Sequence, residues 1–199
     1  MAYTYTLTAA TTAAVTNRYV TTANMKVGAY TLANTTPAWA GAGLVTVTHT
    51  EVGGGVDTLG TIVVVGKDLA GNTRTDTITP VNGSTATGTV YFRSITSVTG
   101  VGWVIGTGND TIVVGVAAGN VVCSSFGTLG GVLVNNSVAS AVTISNAKGT
   151  ILTIPASQAA GTYYNLGGVA YSGFLKVATT STNSVTAFHT ATMPTSYAK

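Results

Sequence analysis

Threonine fills 39 of the 199 positions, and with valine it loads the chain with side chains branched at Cβ. Two heavy atoms on Cβ restrict χ1 against a preceding helical turn but sit well on a pleated sheet. Glu, Gln, Leu and Lys, which clothe helix surfaces, are scarce. A chain so built is all-β. In Leu44-Val45-Thr46-Val47-Thr48-His49-Thr50 apolar and polar residues mostly alternate, which gives one buried and one wet face. Thr61 to Gly66 reads as a more fully buried strand and Thr73 to Thr79 as a polar one. Between them Asp68 can cap its own turn and Gly71 or Asn72 can take positive φ, so the pair is a hairpin.

Further strands are expected at Thr89 to Val98, Gly102 to Ile105, Thr111 to Val116 and Val121 to Phe126, punctuated by Asn82-Gly83, Thr99-Gly100 and Gly108-Asn109-Asp110. A second series starts after Gly127-Thr128-Leu129-Gly130-Gly131: Val132 to Asn135, Ala141 to Asn146, Thr150 to Ile154, Thr162 to Leu166, Gly173 to Ala178 and Ser184 to His189. The expected organisation is two tandem small β-sandwich or barrel-like domains, 41–126 and 127–199, preceded by 1–40 as an N-terminal arm or edge strand. In that first segment Tyr3-Thr4-Tyr5-Thr6-Leu7 alternates, Thr8 to Val15 has no clear period, and Thr35 to Gly43, with Pro37 and Trp39, reads as a loop. An arm that orders on a partner and an extra strand closing the first sandwich both fit it. Ile62 to Pro80 and Ala141 to Pro155 share a phrase of strand, Gly-containing turn, strand and proline. It fits a duplication, and equally two independent hairpins.

Only 7% of residues are charged, against about 25% in an ordinary domain, so the surface is built from Thr, Ser, Asn and Gly. Such a chain is expected to work in an assembly rather than as a free monomer. The net charge of +3 comes from scattered cations without a cluster to follow a phosphate backbone, which argues against nucleic acid as a partner. Apolar runs such as Ile62 to Val65 are far short of the roughly 18 residues of a spanning helix, and aromatic girdles of an outer-membrane barrel are not visible. No membrane association is expected. The opening MAYTYTLTAATTAAV lacks the basic and apolar regions of a secretory signal, so synthesis and retention in a cytoplasm are expected. Cys123 is the sole cysteine, which leaves no intrachain disulfide and no multi-thiolate metal site.

The inventory for catalysis is thin. Glu51, Asp57, Asp68, Asp76 and Asp110 each fall at an expected turn or on the polar side of a strand, without a neighbouring base or apolar wall. His49 and Glu51, two apart on one strand, share a face, and a solvated polar face accounts for them. His189 has no companion at zinc spacing. Asp57 and Asp68 are the acids available for a shared calcium, but the dense acidic loop such sites use is missing. No G-x-S-x-G elbow occurs, and Gly53-Gly54-Gly55 lacks the lysine and helix of a phosphate cradle. No enzyme activity and no cofactor are expected. Trp103, between Gly102 and Val104, reads as core. Trp39 reads as an interface anchor, and with Tyr3 and Tyr5 it makes the set of candidate assembly contacts.

The stretch VVVGKDLAGNTRTDTITPVNGSTATGTVYFRSITSVTG (63–100), continuing to GNDTIVVGV (108–116), resembles a β-sandwich unit of tailed-bacteriophage virion proteins. That unit pairs a strand, a D-x-x-G-N turn and a polar T-x-T/E-T-I-T strand with an aromatic strand running into S-V-T. GTILTIPASQAAGTYYNLGGVAYSGFLKVAT (149–179) resembles the small β-domains of phage head-decoration proteins, through I-P-A, G-T-Y-Y and G-G-V. The cysteine pair and strand-C tryptophan of immunoglobulin domains are not present. The resemblance implies a capsid decoration or cement protein on the virion surface, made in the host cytoplasm. Its partners would be the major capsid protein lattice and further copies of itself, as a homotrimer or other symmetric oligomer. The alternatives are a tail or head–tail connector component (tube, adaptor or fibre anchor) and a carbohydrate-binding adhesive module that stacks sugars on Trp39 and tyrosines.

Overall fold

In the computed structural model the described residues form strands joined by turns and loops. Residues 4–8, 12–53, 57–104, 106, 108–123 and 125–192 are described, and no helix occurs among them. The strands are β1 (Thr4–Thr8), β2 (Val15–Asn24), β3 (Gly43–Thr50), β4 (Thr61–Lys67), β5 (Thr73–Ile78), β6 (Thr85–Phe92), β7 (Ser94–Val101), β8 (Thr111–Val116), β9 (Asn120–Cys123), β10 (Phe126–Val134), β11 (Val142–Asn146), β12 (Gly149–Ile154), β13 (Tyr163–Tyr171), β14 (Leu175–Thr179) and β15 (Val185–Thr192). The described residues fall into two compact units. The first lies within 14–38 and 42–117, the second within 1–13, 39–41 and 118–199.

In the first unit the antiparallel sheets run β2-β8-β3-β6 and β5-β4-β7. Alternation decides which side chains are buried: Val45, Val47 and His49 on β3, Ile62 and Val64 on β4, Ile112 and Val114 on β8. Each such aliphatic side chain, fully removed from water, contributes roughly 1.5–3 kcal/mol. The expected single strand from Thr89 to Val98 is two strands, because the chain changes sheets at Arg93: β6 pairs with β3, β7 with β4. Phe92, fully buried at that corner, fits against Gly66, where an added Cβ would sit 2.7 Å from the ring. The β4–β5 hairpin forms as its sequence requires. Asp68 Oδ1 accepts the amides of Ala70 and Asn72 at 2.9 Å each, and Gly71 has φ 84°. The expected strand at Gly102 to Ile105 is absent as a strand. Gly102, at φ 74°, turns the chain out of β7, and Val104 makes only an isolated bridge with Thr58; Ile105 lies outside the described residues.

In the second unit the sheets run β1-β15-β10-β13 and β12-β11-β14-β9. Its core contains Leu129, Val132, Val134, Val142, Ile144, Ile154, Leu175, Val177 and Val185. The β11–β12 hairpin repeats the turn logic of β4–β5, with Asn146 Oδ1 accepting the Lys148 amide at 2.8 Å and Gly149 at φ 136°. Gly127-Thr128-Leu129-Gly130-Gly131, read from sequence as the entry to a second domain, is interior to β10, a central strand of its sheet. The glycines serve packing there rather than linkage. β9 pairs with β14, so the stretch from Asn120 belongs to this second unit. The first 40 residues likewise divide. β1 forms the edge next to β15, and β2 forms the edge next to β8 in the first unit.

Candidate functional site

Four of the acids and histidines that a chemical mechanism could use are buried, and each is held by nearby polar groups. His49 extends the buried row Val45, Val47 on β3, and its Nε2 lies 2.9 Å from Asp110 Oδ2, with both side chains at 0% exposure. The Gly83 amide donates to His49 Nδ1 at 3.2 Å, so that nitrogen carries no proton and Nε2–H donates to the carboxylate. The other Asp110 oxygen accepts the Val52 amide at 2.9 Å. Burial pushes the Asp110 carboxyl up. The Val52 amide, His49 and Asp57 outweigh it, and the net position is below the ordinary carboxylate range. Such a dyad resembles the base and orienter of a hydrolase, but both imidazole nitrogens are already occupied and none is left for a nucleophile. The solvated His49/Glu51 face expected from sequence is therefore corrected. Glu51 is exposed and accepts from Asn82 Nδ2 at 2.8 Å, while the alternation that buries Val45 and Val47 carries His49 inward.

Asp76, expected on a polar face, is also buried. Its Oδ2 accepts the β6 amides of Thr89 and Val90 at 2.8 and 3.1 Å, which ties β5 to β6. Gly88 makes the approach possible, since a Cβ there would lie 3.2 Å from Asp76 Cγ and 2.9 Å from Ile78 Cδ1. In the second unit Tyr171, 2% exposed, donates its hydroxyl proton to the Thr190 carbonyl at 2.8 Å and lies 3.4 Å from Cys123 Sγ and 3.3 Å from His189 Nδ1. Burial first, then Cys123, raises the Tyr171 hydroxyl; burial lowers His189. No group of three or more His, Cys, Asp or Glu able to hold a metal occurs among the described residues.

A concave feature of the second unit lies on the outer face of β10, β13 and β15. On β15 the residues Val185, Ala187 and His189 face the core and Thr186, Phe188 and Thr190 face outward. β10 matches this only because of a bulge between Leu129 and Gly131. The extra residue resets the alternation, so Val132 and Val134 return to the core and Gly131 turns outward. A Cβ on Gly131 would lie 2.5 Å from Tyr163 Cζ, so the absent side chain leaves the bed on which the Tyr163 ring rests. That ring meets Phe188 edge-on at 6.1 Å and 70°. Beyond Asn165 on β13, Asn165 Oδ1 accepts the Gly167 amide at 3.0 Å while Gly167 and Gly168 take φ of 62° and 85°. Gly130, Tyr163, Asn165, Gly167, Gly168 and Phe188 enclose a groove of about 380 Å³, and none of them is charged.

Of the candidate assembly contacts, Tyr5 stands on β1 at the register position opposite Phe188, which is itself opposite Gly131. Tyr3 lies outside the described residues. Trp39 is buried at 8% exposure. The two tryptophans thus exchange the environments expected of them. Trp103 is half-buried, 6.0 Å from Tyr30, over Gly100, where a β-carbon would overlap its ring. Tyr163 and Phe188 do not stand out in the sequence as site residues. Their signal is an aromatic on the polar phase of a strand, with Gly131 opposite Phe188 and diagonal to Tyr163. Compared with known proteins, the chain matches no family model, no curated protein and no solved structure.

Proposed function

We propose that this chain is a virion structural protein of the capsid-decoration or cement type, which docks in many copies on a head lattice and reinforces it mechanically. The phrases at 63–116 and 149–179 motivate the reading, and the spending of His49, Asp110 and Asp76 on internal clamps accords with a role without turnover. The observation that carries it is an apolar end on the first unit. Val101, Trp103 and Val104 follow one another out of β7, with Val101 51% and Val104 65% exposed. Val27, 48% exposed, is brought beside them by the Gly100 amide donating to the Gly28 carbonyl at 2.7 Å. Clustered exposed apolar side chains on a chain with few charges mark a docking surface, and a symmetric lattice offers the same complementary patch to every copy.

The test is addition of the purified chain to phage heads that lack a decoration protein. Saturable occupancy with raised survival under heat or chelator is expected, with occupancy lost in a Val101→Ser, Val104→Ser variant. Absence of binding to heads refutes the reading, and binding to tails instead moves the protein to the tail or head–tail connector class.

A further inference from the structure

We propose that the groove formed by Tyr163, Phe188 and the Asn165–Gly168 segment is a binding site for a neutral sugar ring. The inference goes beyond the decoration reading and does not depend on it. The lining carries no charge, so it offers nothing to a phosphate or carboxylate and selects a neutral ligand. Two aromatic rings set edge to face present a negative π-face to the weakly positive C–H bonds that line one side of a pyranose. Tyr163 is 52% exposed, so this ring is open to solvent.

The polar complement is beside the rings. Asn165 Oδ1 holds the turn, and its amide nitrogen and the Tyr163 hydroxyl have no hydrogen-bond partner among the described residues, which leaves donors and an acceptor at the groove for sugar hydroxyls. Over Gly167 and Gly168 an added β-carbon would meet nothing within 4 Å, so the floor is bare backbone with open space above it. Positive φ at both glycines keeps side chains out of that space. A volume of about 380 Å³ lies within the range of small-ligand sites, roughly 300–1,000 Å³. A protein partner would need a far broader face, about 800 Å² on each side.

The experiment is ligand-detected NMR and calorimetry on the full chain with methyl glycosides of neutral hexoses and N-acetylhexosamines and their short oligomers. Saturable binding of at least one sugar is expected. Affinity should fall at least about ten-fold in Tyr163→Ala and in Phe188→Ala, and also in Gly168→Val, which closes the floor. Tyr163→Phe, which keeps the ring, should lose less than Tyr163→Ala. Circular dichroism and melting curves identify variants that remain folded. The proposal is overturned if no sugar binds saturably, or if folded Tyr163→Ala and Gly168→Val bind as the parent does. It is equally overturned if Tyr163→Ala abolishes self-association, which would make the groove a contact between copies.

Discussion

His49 on β3 and Asp110 just before β8 form a fully buried pair, Nε2 to Oδ2 at 2.9 Å, closed at either end by the amides of Gly83 and Val52. Removing the carboxylate leaves the imidazole N–H and the Val52 amide without an acceptor away from water. Asp110→Ala is expected to cost about 3–5 kcal/mol in urea denaturation at neutral pH. A loss below about 1 kcal/mol would show that water or a neighbour replaces it.

The same pair sets an acid limit. A carboxyl whose folded pKa lies below its ordinary value near 3.8 adds stability that is complete above that value and is lost as pH falls through the lower folded one. The stability that the Asp110 carboxylate adds, read as the difference between the parent and Asp110→Asn, should therefore shrink as pH falls below about 4. A difference that grows below about pH 4 contradicts the assignment.

Gly88 and Asp76 make a second, steric prediction. A methyl at residue 88 meets the Asp76 carboxylate and Ile78, so Gly88→Ala should destabilise by about 1–3 kcal/mol despite alanine's lower unfolded-state entropy. An unchanged or raised melting temperature would mean that β5 and β6 can separate freely.

At Gly71 the space is open and only the backbone resists. With φ 84° and nothing within 4 Å of an added Cβ, Gly71→Val should cost about 1–3 kcal/mol. A neutral melting curve would place the turn elsewhere.

Tyr19 gives a prediction of opposite sign. Its ring is fully buried and its hydroxyl has no hydrogen-bond partner among the described residues, and burial holds the group protonated. Tyr19→Phe removes a desolvated hydroxyl and should be neutral or stabilise by up to about 1 kcal/mol. A clear loss of stability, read by thermal melting, would reveal a bond to that hydroxyl.

Much of this molecule is set by chain composition and short-range pattern. Branched side chains exclude helix, alternation at Val45-Thr46-Val47 chooses a face, and Asp68 with Gly71 closes a hairpin; these are interactions within a few residues, so the sequence alone determines them. The same alternation carries His49 inward, although its polarity alone points outward. The tertiary structure decides whatever depends on partners far along the chain. His49 is buried because Asp110, Gly83 and Val52 converge on it, and Asp76 because β6 supplies its amides. The Gly127–Gly131 run becomes strand rather than linker because β13 and β15 pair with it, and Tyr171 and Tyr163 occupy the space that side chains on Gly127 and Gly131 would need. Trp39 and Trp103 exchange environments because burial depends on what packs over a ring, which local sequence does not encode. The groove, too, exists only where a bulge at Leu129–Gly131 in β10 meets the Gly167–Gly168 turn in β13, two irregularities distant in sequence that only the folded sheet brings together.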